Sequence, residues 1–470
     1  MTMQRRFQTA LRGSVFGALA VLMAAPALAQ PRTLQDALAA AYSNNPTLQA
    51  ARAQLRATDE GVPQALAGWR PTVTLSGAVG YGDGTLRSAN RNGTAINRNN
   101  RDIFTEQASA TQPLYRGGAT RAGTNRADNQ VFGQRGRLLA SEQQIFTNTI
   151  NAYVGVIQAQ QVLQLNINNE QVLARQLQAT NDRFRVGEIT RTDVAQAEAA
   201  LAGARATRQS SEGNLQTARS TYRQLVGELP DQLVEPQPVR LPIKNQAEAI
   251  QLAGQNNPNV VAAMFDNAAA RDNIDLQFSA LMPQVSVQAL GARSDNASLL
   301  GQRSIGGQVL LNASVPLYQG GAEYSRVRQA RQQEQQARKT VEDVRRQVVQ
   351  QATQAWETLL ATRATIESTR AQIRANQIAL EGTQREAIVG SRTTLDVLNA
   401  EQTLLNSRVT LVQNLANLVT NSYAVTAAIG RLTARDLNLN VPLYDETAYY
   451  NAVRQKLVGV GDYATEQPGR

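Results

Sequence analysis

Two copies of one pattern make up this chain. Asn44-Asn45-Pro46 returns as Asn256-Asn257-Pro258 and Pro71 returns as Pro283, both 212 positions later. Pro113-Leu114-Tyr115-Arg116-Gly117-Gly118 returns 203 positions later as Pro316-Leu317-Tyr318-Gln319-Gly320-Gly321. The same offset relates Val186-Gly187 to Val389-Gly390, Asp193-Val194 to Asp396-Val397 and Ala197-Glu198 to Ala400-Glu401. Self-similarity over this span means one supersecondary pattern used twice, sharing a common architecture. The change of offset places the length difference between Pro71 and Pro113. There a Gly/Asn/Arg-rich stretch from Gly82 to Asn100 reads as a loop that is longer in the first copy.

Each copy reads helix, strand, loop, strand, very long helix, tight turn, helix. Repeat 1 covers residues 30–229, with a strand pair at 72–115 and a turn at 186–190. Repeat 2 covers 245–436, with a strand pair at 284–318 and a turn at 389–393. Pro230, Pro236, Pro238 and Pro242 mark a linker at 230–244, and a tail runs over 437–470. Tyr444, Tyr449 and Tyr450 of that tail are expected to pack against the outside of the helices.

The strands show a period of two. Val73, Leu75, Gly77, Val79 and Tyr81 share one face, with Thr72, Thr74, Ser76, Ala78 and Gly80 on the other. Val285, Val287 and Ala289 lie opposite Gln284, Ser286 and Gln288, and Val309, Leu311, Ala313 and Val315 lie opposite Gln308, Asn312 and Ser314. Residues 104–114 alternate less cleanly. Four strands of about ten residues have the length a tilted strand needs to cross a bilayer, with one face for lipid and one for water. A sandwich with one wet face would share this alternation. Four strands cannot close a barrel, and open edges are intolerable in lipid, so a barrel requires several copies of the chain.

No proline interrupts the stretch from Gly118 to Pro230 or that from Gly321 to Pro442. Ala352, Leu359, Ile366, Ile373, Leu380 and Ala387 fall seven apart, as do Leu398, Leu405, Val412 and Val419. In the first copy Phe132, Leu139, Phe146 and Tyr153 keep that period, followed by Leu165, Val172, Ala179 and Val186. These are coiled-coil seams, and a helix from Gly118 to Arg185 is about 100 Å long. The fold class is therefore mainly α with a transmembrane β-barrel. Gly187 and Gly390 end the long helices, and Thr190 with Asp193 and Thr393 with Asp396 have capping-box spacing.

The chain has no Cys and no His, which removes disulfides, thiolate and imidazole metal sites, catalytic triads and histidine acid/base chemistry. An enzyme would have to run on carboxylates, Lys or Tyr, and no paired acids sit at a strand end. No catalytic activity, metal or cofactor is expected. Arg5, Arg6 and Arg12 precede an apolar run at 14–24, and Ala27-Leu28-Ala29 supplies a small-x-small cleavage pattern. Residues 1–29 are read as a signal peptide, giving an exported chain. The formal charge of +10 includes those three arginines, and no basic run accompanies it, so nucleic acid is not an expected partner.

These motifs, duplicated in order, resemble the TolC-family outer-membrane efflux proteins over essentially the whole mature chain. The resemblance is carried by Ala41-Tyr42 with Asn45-Pro46, by the two Pro-Leu-Tyr-x-Gly-Gly segments, and by Val389-Gly390-Ser391-Arg392-Thr393 leading into Asp396-Val397-Leu398. It implies a homotrimeric channel-tunnel in the outer membrane of a Gram-negative bacterium. Twelve strands would form one barrel, and twelve helices a periplasmic tunnel closed at its far tip. It also implies passive passage of drugs or proteins from an inner-membrane RND or ABC transporter, through a periplasmic adaptor. An exported trimeric coiled-coil structural protein, or an adaptor itself, is the alternative reading of the helices.

The resemblance assigns an acidic ring at the tunnel tip to Asp396, with Asn399 where relatives carry a second aspartate. It assigns a gate link to Arg392 with Asp193 as acceptor, and leaves Ala387 where a linking tyrosine would stand. The exposed turns at Val186, Gly187, Val389, Gly390, Ser391 and Thr393 become the adaptor-docking end. Three Asp396 carboxylates on one axis would raise one another's pKa and attract cations. Asp193 and Asp396 also fit a purely capping role, and Arg392 a solvated turn position.

Overall fold

A computed structural model describes residues 33–90, 93–298, 300–461 and 463. The signal peptide and its cleavage site lie outside the described residues.

Three short helices open the first copy: α1 (Leu34–Asn44), α2 (Pro46–Asp59) and α3 (Gly61–Leu66). The Asn45-Pro46 motif explains the first break. Pro46 starts α2, and the Asn45 side chain caps it by accepting from Thr47 N at 3.0 Å. The same side chain donates through Nδ2 to Leu225 O at 3.0 Å. Asn257 repeats both bonds, to Asn259 N at 3.0 Å and Ala428 O at 3.2 Å. The duplicated motif is thus a joint tying each short helix to the end of a long one.

β1 (Thr72–Asn90) and β2 (Gly93–Arg116) follow. The stretch from Gly82 to Asn100, expected as a loop, is paired strand: the ladder continues from Gly82 opposite Arg101 to Asn90 opposite Gly93. Backbone pairing carries this hairpin beyond the apolar rows, so no alternation announces it. The weak alternation of β2 comes from Glu106 and Gln112, which share a face with Phe104, Ala108 and Ala110, and a bulge between Pro113 and Tyr115 shifts its register against the next strand.

Gly117 adopts φ +62°, and a Cβ there would meet Ser279 O at 2.5 Å, so only glycine fits where β2 turns into α4 (Ala119–Arg185). After α4 come α5 (Arg191–Val226), α6 (Gln246–Asn256) and α7 (Pro258–Phe278). β3 (Gln284–Asp295) and β4 (Arg303–Ser314) complete the sheet. α8 (Ala322–Ile388), α9 (Thr394–Ala428) and α10 (Ala448–Val453) end the chain. The sheet order is β1-β2-β3-β4, all antiparallel, leaving β1 and β4 as edges.

Both α4 and α8 have 67 residues, about 100 Å of helix. α4 packs against α5, against α1–α3 and against α7, while α8 packs against α9, α7 and α6. In α8 the expected seam is buried at Ala352, Leu359, Ile366, Leu380 and Ala387. In α4 it holds at Phe146 and Tyr153, both fully buried, but not toward either end of the helix. Phe132 and Leu139 are exposed while Val131 and Leu138 are buried, and farther on the buried positions are Asn166, Leu173 and Thr180 instead of Leu165, Val172 and Ala179. The second displacement reflects chemistry: Asn166 and Thr180 satisfy their polar groups at the seam, so polarity does not exclude them from it.

The tail is strapped across the outside of the first-copy helices, as its tyrosines lead one to expect. Tyr444 N donates to Tyr42 Oη at 3.0 Å, Tyr449 Oη to Glu60 at 2.9 Å and Tyr450 Oη to Asp128 at 2.7 Å. Arg52 stacks on both Tyr42 and Tyr444.

Candidate functional site

The candidate functional surfaces lie at the two ends of the molecule. At one end, the face holding Val73, Leu75 and Val79 continues across the sheet as Ala108 and Ala110, then Ala289, then Val309 and Leu311. Its valines and leucines on β1 and β4 are exposed in the protomer. This apolar face gives way to charge where Glu106 lies opposite Arg293, and Asp295 bridges Arg293 and Arg303 at 2.8 Å each. The opposite face presents Thr74 hydrogen-bonded to Ser109, and Gln288 to Asn312. No helix among the described residues is long and apolar enough to cross a membrane.

At the other end, both helical hairpins turn by the same device. α4 stops at Val186, Gly187 takes φ +79°, and Gly187 N and Glu188 N donate to Phe184 O and Arg183 O at 3.0 Å each. α8 stops at Val389, Gly390 takes φ +79°, and Gly390 N and Ser391 N donate to Ala387 O at 3.3 Å and Glu386 O at 3.0 Å. These are Schellman closures. Capping boxes then start α5 at Thr190 with Asp193 and α9 at Thr393 with Asp396. Val186 and Val389 project at the two apices, each 78% exposed.

The Asp396 carboxylate accepts from Thr393 N at 3.0 Å and Thr393 Oγ1 at 2.8 Å. These bonds, with a smaller contribution from Arg392, hold its pKa below the ordinary carboxylate value within one protomer. Asn399 stands exposed one turn farther along α9. Ala387 is buried in an apolar cluster with Leu380, Val397 and Leu404.

Arg392 pairs with Glu386 on its own hairpin, Nε to Oε2 at 2.9 Å. Asp193 is engaged by Thr190, with its Oδ2 accepting from both the backbone and the hydroxyl. The first hairpin has its own brace, Arg183 to Glu188 at 2.8 Å. Glu386, Glu188 and Arg183 were not singled out from the sequence, although charges flanking both Val-Gly turns were there to be read.

Above the turns, Leu398 joins Leu173, Leu201 and Ala204, which fastens α9 to the first hairpin. A groove of about 270 Å³ runs here, lined by Leu173, Gly203, Leu398 and Glu401. Glu401 accepts from Gln384 at 3.2 Å, and burial raises its pKa. In the first half of α4 a buried carboxylate, Glu142, accepts from Ala434 N at 2.6 Å and fixes the segment between α9 and the tail.

The family described as Outer membrane efflux protein matches residues 37–228 and 249–431, one segment in each copy. Outer membrane efflux protein BepC of Brucella suis is 34% identical over 96% of this chain and 99% of its own. Outer membrane protein TolC of Vibrio cholerae is 26% identical over 84% of this chain and 90% of its own. The crystal structure of the Campylobacter jejuni CmeC outer membrane channel superposes with a TM-score of 0.74, at 15% identity, covering 90% of this chain and 89% of that one. With both of its copies matched and 96% of its length shared with a relative of the same description, the chain belongs to the outer membrane efflux protein family.

Proposed function

We propose that three copies of this chain form the exit duct of a tripartite efflux or type I secretion system. The observation that supports this most is the open four-stranded sheet with an apolar face and two free edges, β1 and β4. Unpaired backbone groups cannot be left in lipid, so β4 of one copy pairs with β1 of the next until the barrel closes. Barrels of this kind have at least about eight strands. Two copies meet that bound, and three follow the family architecture, with twelve strands above and twelve helical strands of wall below.

The apolar face meets the outer-membrane lipid and the Thr/Ser/Gln face lines the channel. The helices extend into the periplasm, and the Val186 and Val389 apices form the far tip, where a periplasmic adaptor docks and an RND or ABC transporter delivers drugs or proteins. Asp396 supplies the acidic ring there, and the Arg392–Glu386 brace stiffens the hairpin that carries it. Passage is passive.

The test is the oligomeric mass of purified protein together with single-channel recording in planar bilayers. A trimer with discrete conductance is expected. A monomer without pore activity would overturn the reading.

A further inference from the structure

The end of the tail makes a short excursion that the duct does not require. From Tyr450, bonded to Asp128, the chain runs through α10, whose Val453 is buried, to Lys456, whose carbonyl accepts from Arg70 Nη1 at 3.0 Å. It then returns, since the Tyr463 ring lies 6.3 Å from that of Tyr449. Residues 456–461 are therefore a loop anchored on both sides. Lys456 Nζ closes it by donating to Gly461 O at 2.6 Å, and Gly459 at φ +103° supplies the turn.

The loop carries three apolar side chains that touch little protein: Leu457 and Val458 are 73% and 86% exposed, and Val460 is fully exposed. Its position gives them a purpose. Arg70 stands two residues before β1 and three before Val73, the first residue of the apolar row. The loop thus sits at the foot of the barrel. Trp69, Leu114, Tyr115, Leu317 and Tyr318 are exposed in the segments that enter and leave the same end of the sheet. Aromatic side chains in this position are the belt that marks a membrane interface.

We propose that residues 456–461 are a membrane-contact loop, which seats Leu457, Val458 and Val460 in the periplasmic phospholipid leaflet around the barrel. This rests on the barrel reading above. In water three neighbouring apolar side chains at a loop tip are a cost, whereas at this level they extend the lipid-facing surface of the sheet. Arg70, bonded to the carbonyl of Lys456, and Lys456 itself lie beside them, which suits anionic headgroups. The loop is already closed by its own hydrogen bond, so little ordering accompanies insertion. It fixes the height and rotation of the helical part beneath the bilayer.

The absence of cysteine makes the experiment direct. Val458→Cys, Val309→Cys in the barrel and Val389→Cys at the far tip are each labelled with bimane in the full-length protein. All are reconstituted in phosphatidylethanolamine/phosphatidylglycerol vesicles containing nitroxide-labelled phospholipid. The Val458 label is expected to lose emission to the lipid quencher nearly as strongly as the Val309 label, while the Val389 label is unaffected. If the Val309 label is quenched and the Val458 label is not, the loop faces water or another protein and the proposal falls alone. If neither is quenched, the barrel reading falls with it.

Discussion

Asn166 of α4 donates to the hydroxyl of Ser211 of α5 at 2.7 Å across a buried seam. The same two positions of the second copy hold Thr369 and Asn414, and there the amide has changed sides: Asn414 donates to Thr369 Oγ1 at 3.2 Å. In the second hairpin this bond is one rung of a ladder. Asn421 donates to Thr362 at 3.0 Å on one side of it and Asn376 to Ser407 at 2.7 Å on the other, each a heptad away. The first-copy counterparts of Asn376 and Ser407 are Leu173 and Ala204, both buried in an apolar cluster. The α8–α9 hairpin is thus laced by polar bonds where the α4–α5 hairpin uses more apolar contact. Polar groups at seam positions fix register at a cost in stability.

Replacing the rung Asn376–Ser407 by its first-copy equivalent, Asn376→Leu with Ser407→Ala, should leave the hairpin as stable as before or raise its melting temperature. Ser407→Ala alone strands a part-buried amide and should cost about 1–3 kcal/mol. Thermal unfolding of the purified protein, followed by circular dichroism, measures both.

Arg183 and Glu386 occupy corresponding positions and carry opposite charge, so each hairpin is braced by an ion pair of reversed polarity. The Arg392–Glu386 pair is half-exposed, and exposed pairs are screened by solvent and contribute little to stability. Arg392→Ala should therefore leave the melting temperature nearly unchanged, yet raise conductance and antibiotic leakage by loosening the tip. The exchange Glu386→Arg with Arg392→Glu should restore the parent behaviour. Wild-type conductance in Arg392→Ala would show that other contacts hold the tip.

Asp396 is expected to act on ions as well as to cap α9. Asp396→Ala should lower divalent-cation block of conductance while trimers persist. The Thr393 hydrogen bonds depress its pKa, so its contribution to the cap is present above the ordinary value of 3.8 and is lost as pH falls through the lower folded value. Block that is unchanged in Asp396→Ala would leave the residue a capping role alone.

Faces of the sheet can be told apart by charge. Val309 pairs across from Ala289 on the apolar face, and Gln308 pairs across from Leu290 on the other. Val309→Arg should cost about 2–4 kcal/mol and reduce the yield of assembled barrel, because an arginine on the lipid face loses its hydration. Gln308→Arg should assemble normally and shift ion selectivity toward anions. Equal yields for both would reverse the assignment of the faces.

Features governed by local rules were legible in the sequence. The Val73 to Tyr81 alternation, the Gly187 and Gly390 closures and both capping boxes depend on residues within a few positions, and the structure places each where its spacing indicates. The Arg183 and Glu386 braces could have been read in the same way. Less was legible where partners lie far apart in the chain. α4 packs against α5, α7 and the short helices α1–α3 at once, so it buries a broad face, Val131, Leu138 and Ile145 beside the expected Phe146 and Tyr153, which no single seven-residue row describes. Asn166 and Thr180 do not look like seam residues until their partners are known. The hairpin beyond Gly82 lacks alternation because it leaves the apolar band, and only the ladder identifies it.

Asp59, at the end of α2, is fully buried, and neither carboxyl oxygen has a hydrogen-bond partner. Burial pushes its pKa up to about 7, against the opposing pull of Arg135 on α4 and Arg56 on α2, while Glu60 and Glu446 push the same way as burial. The folded state therefore holds a proton on Asp59 at pH values where the unfolded chain has released it. Stability falls as pH rises from the ordinary value of 3.8 to about 7, and levels off once both states are ionised. The full difference is up to about 4 kcal/mol, at 1.36 kcal/mol per pKa unit. Asp59→Asn keeps the shape and cannot ionise, so its urea-unfolding profile should lose this descending limb and the variant should exceed the parent in stability at pH 8. The tail lies over this site through Tyr444 and Tyr449, so protease sensitivity of the C-terminal segment should rise with pH in the parent and not in Asp59→Asn. A descending limb that survives Asp59→Asn would assign the pH dependence to another group, with Glu142, also raised by burial, the next to substitute.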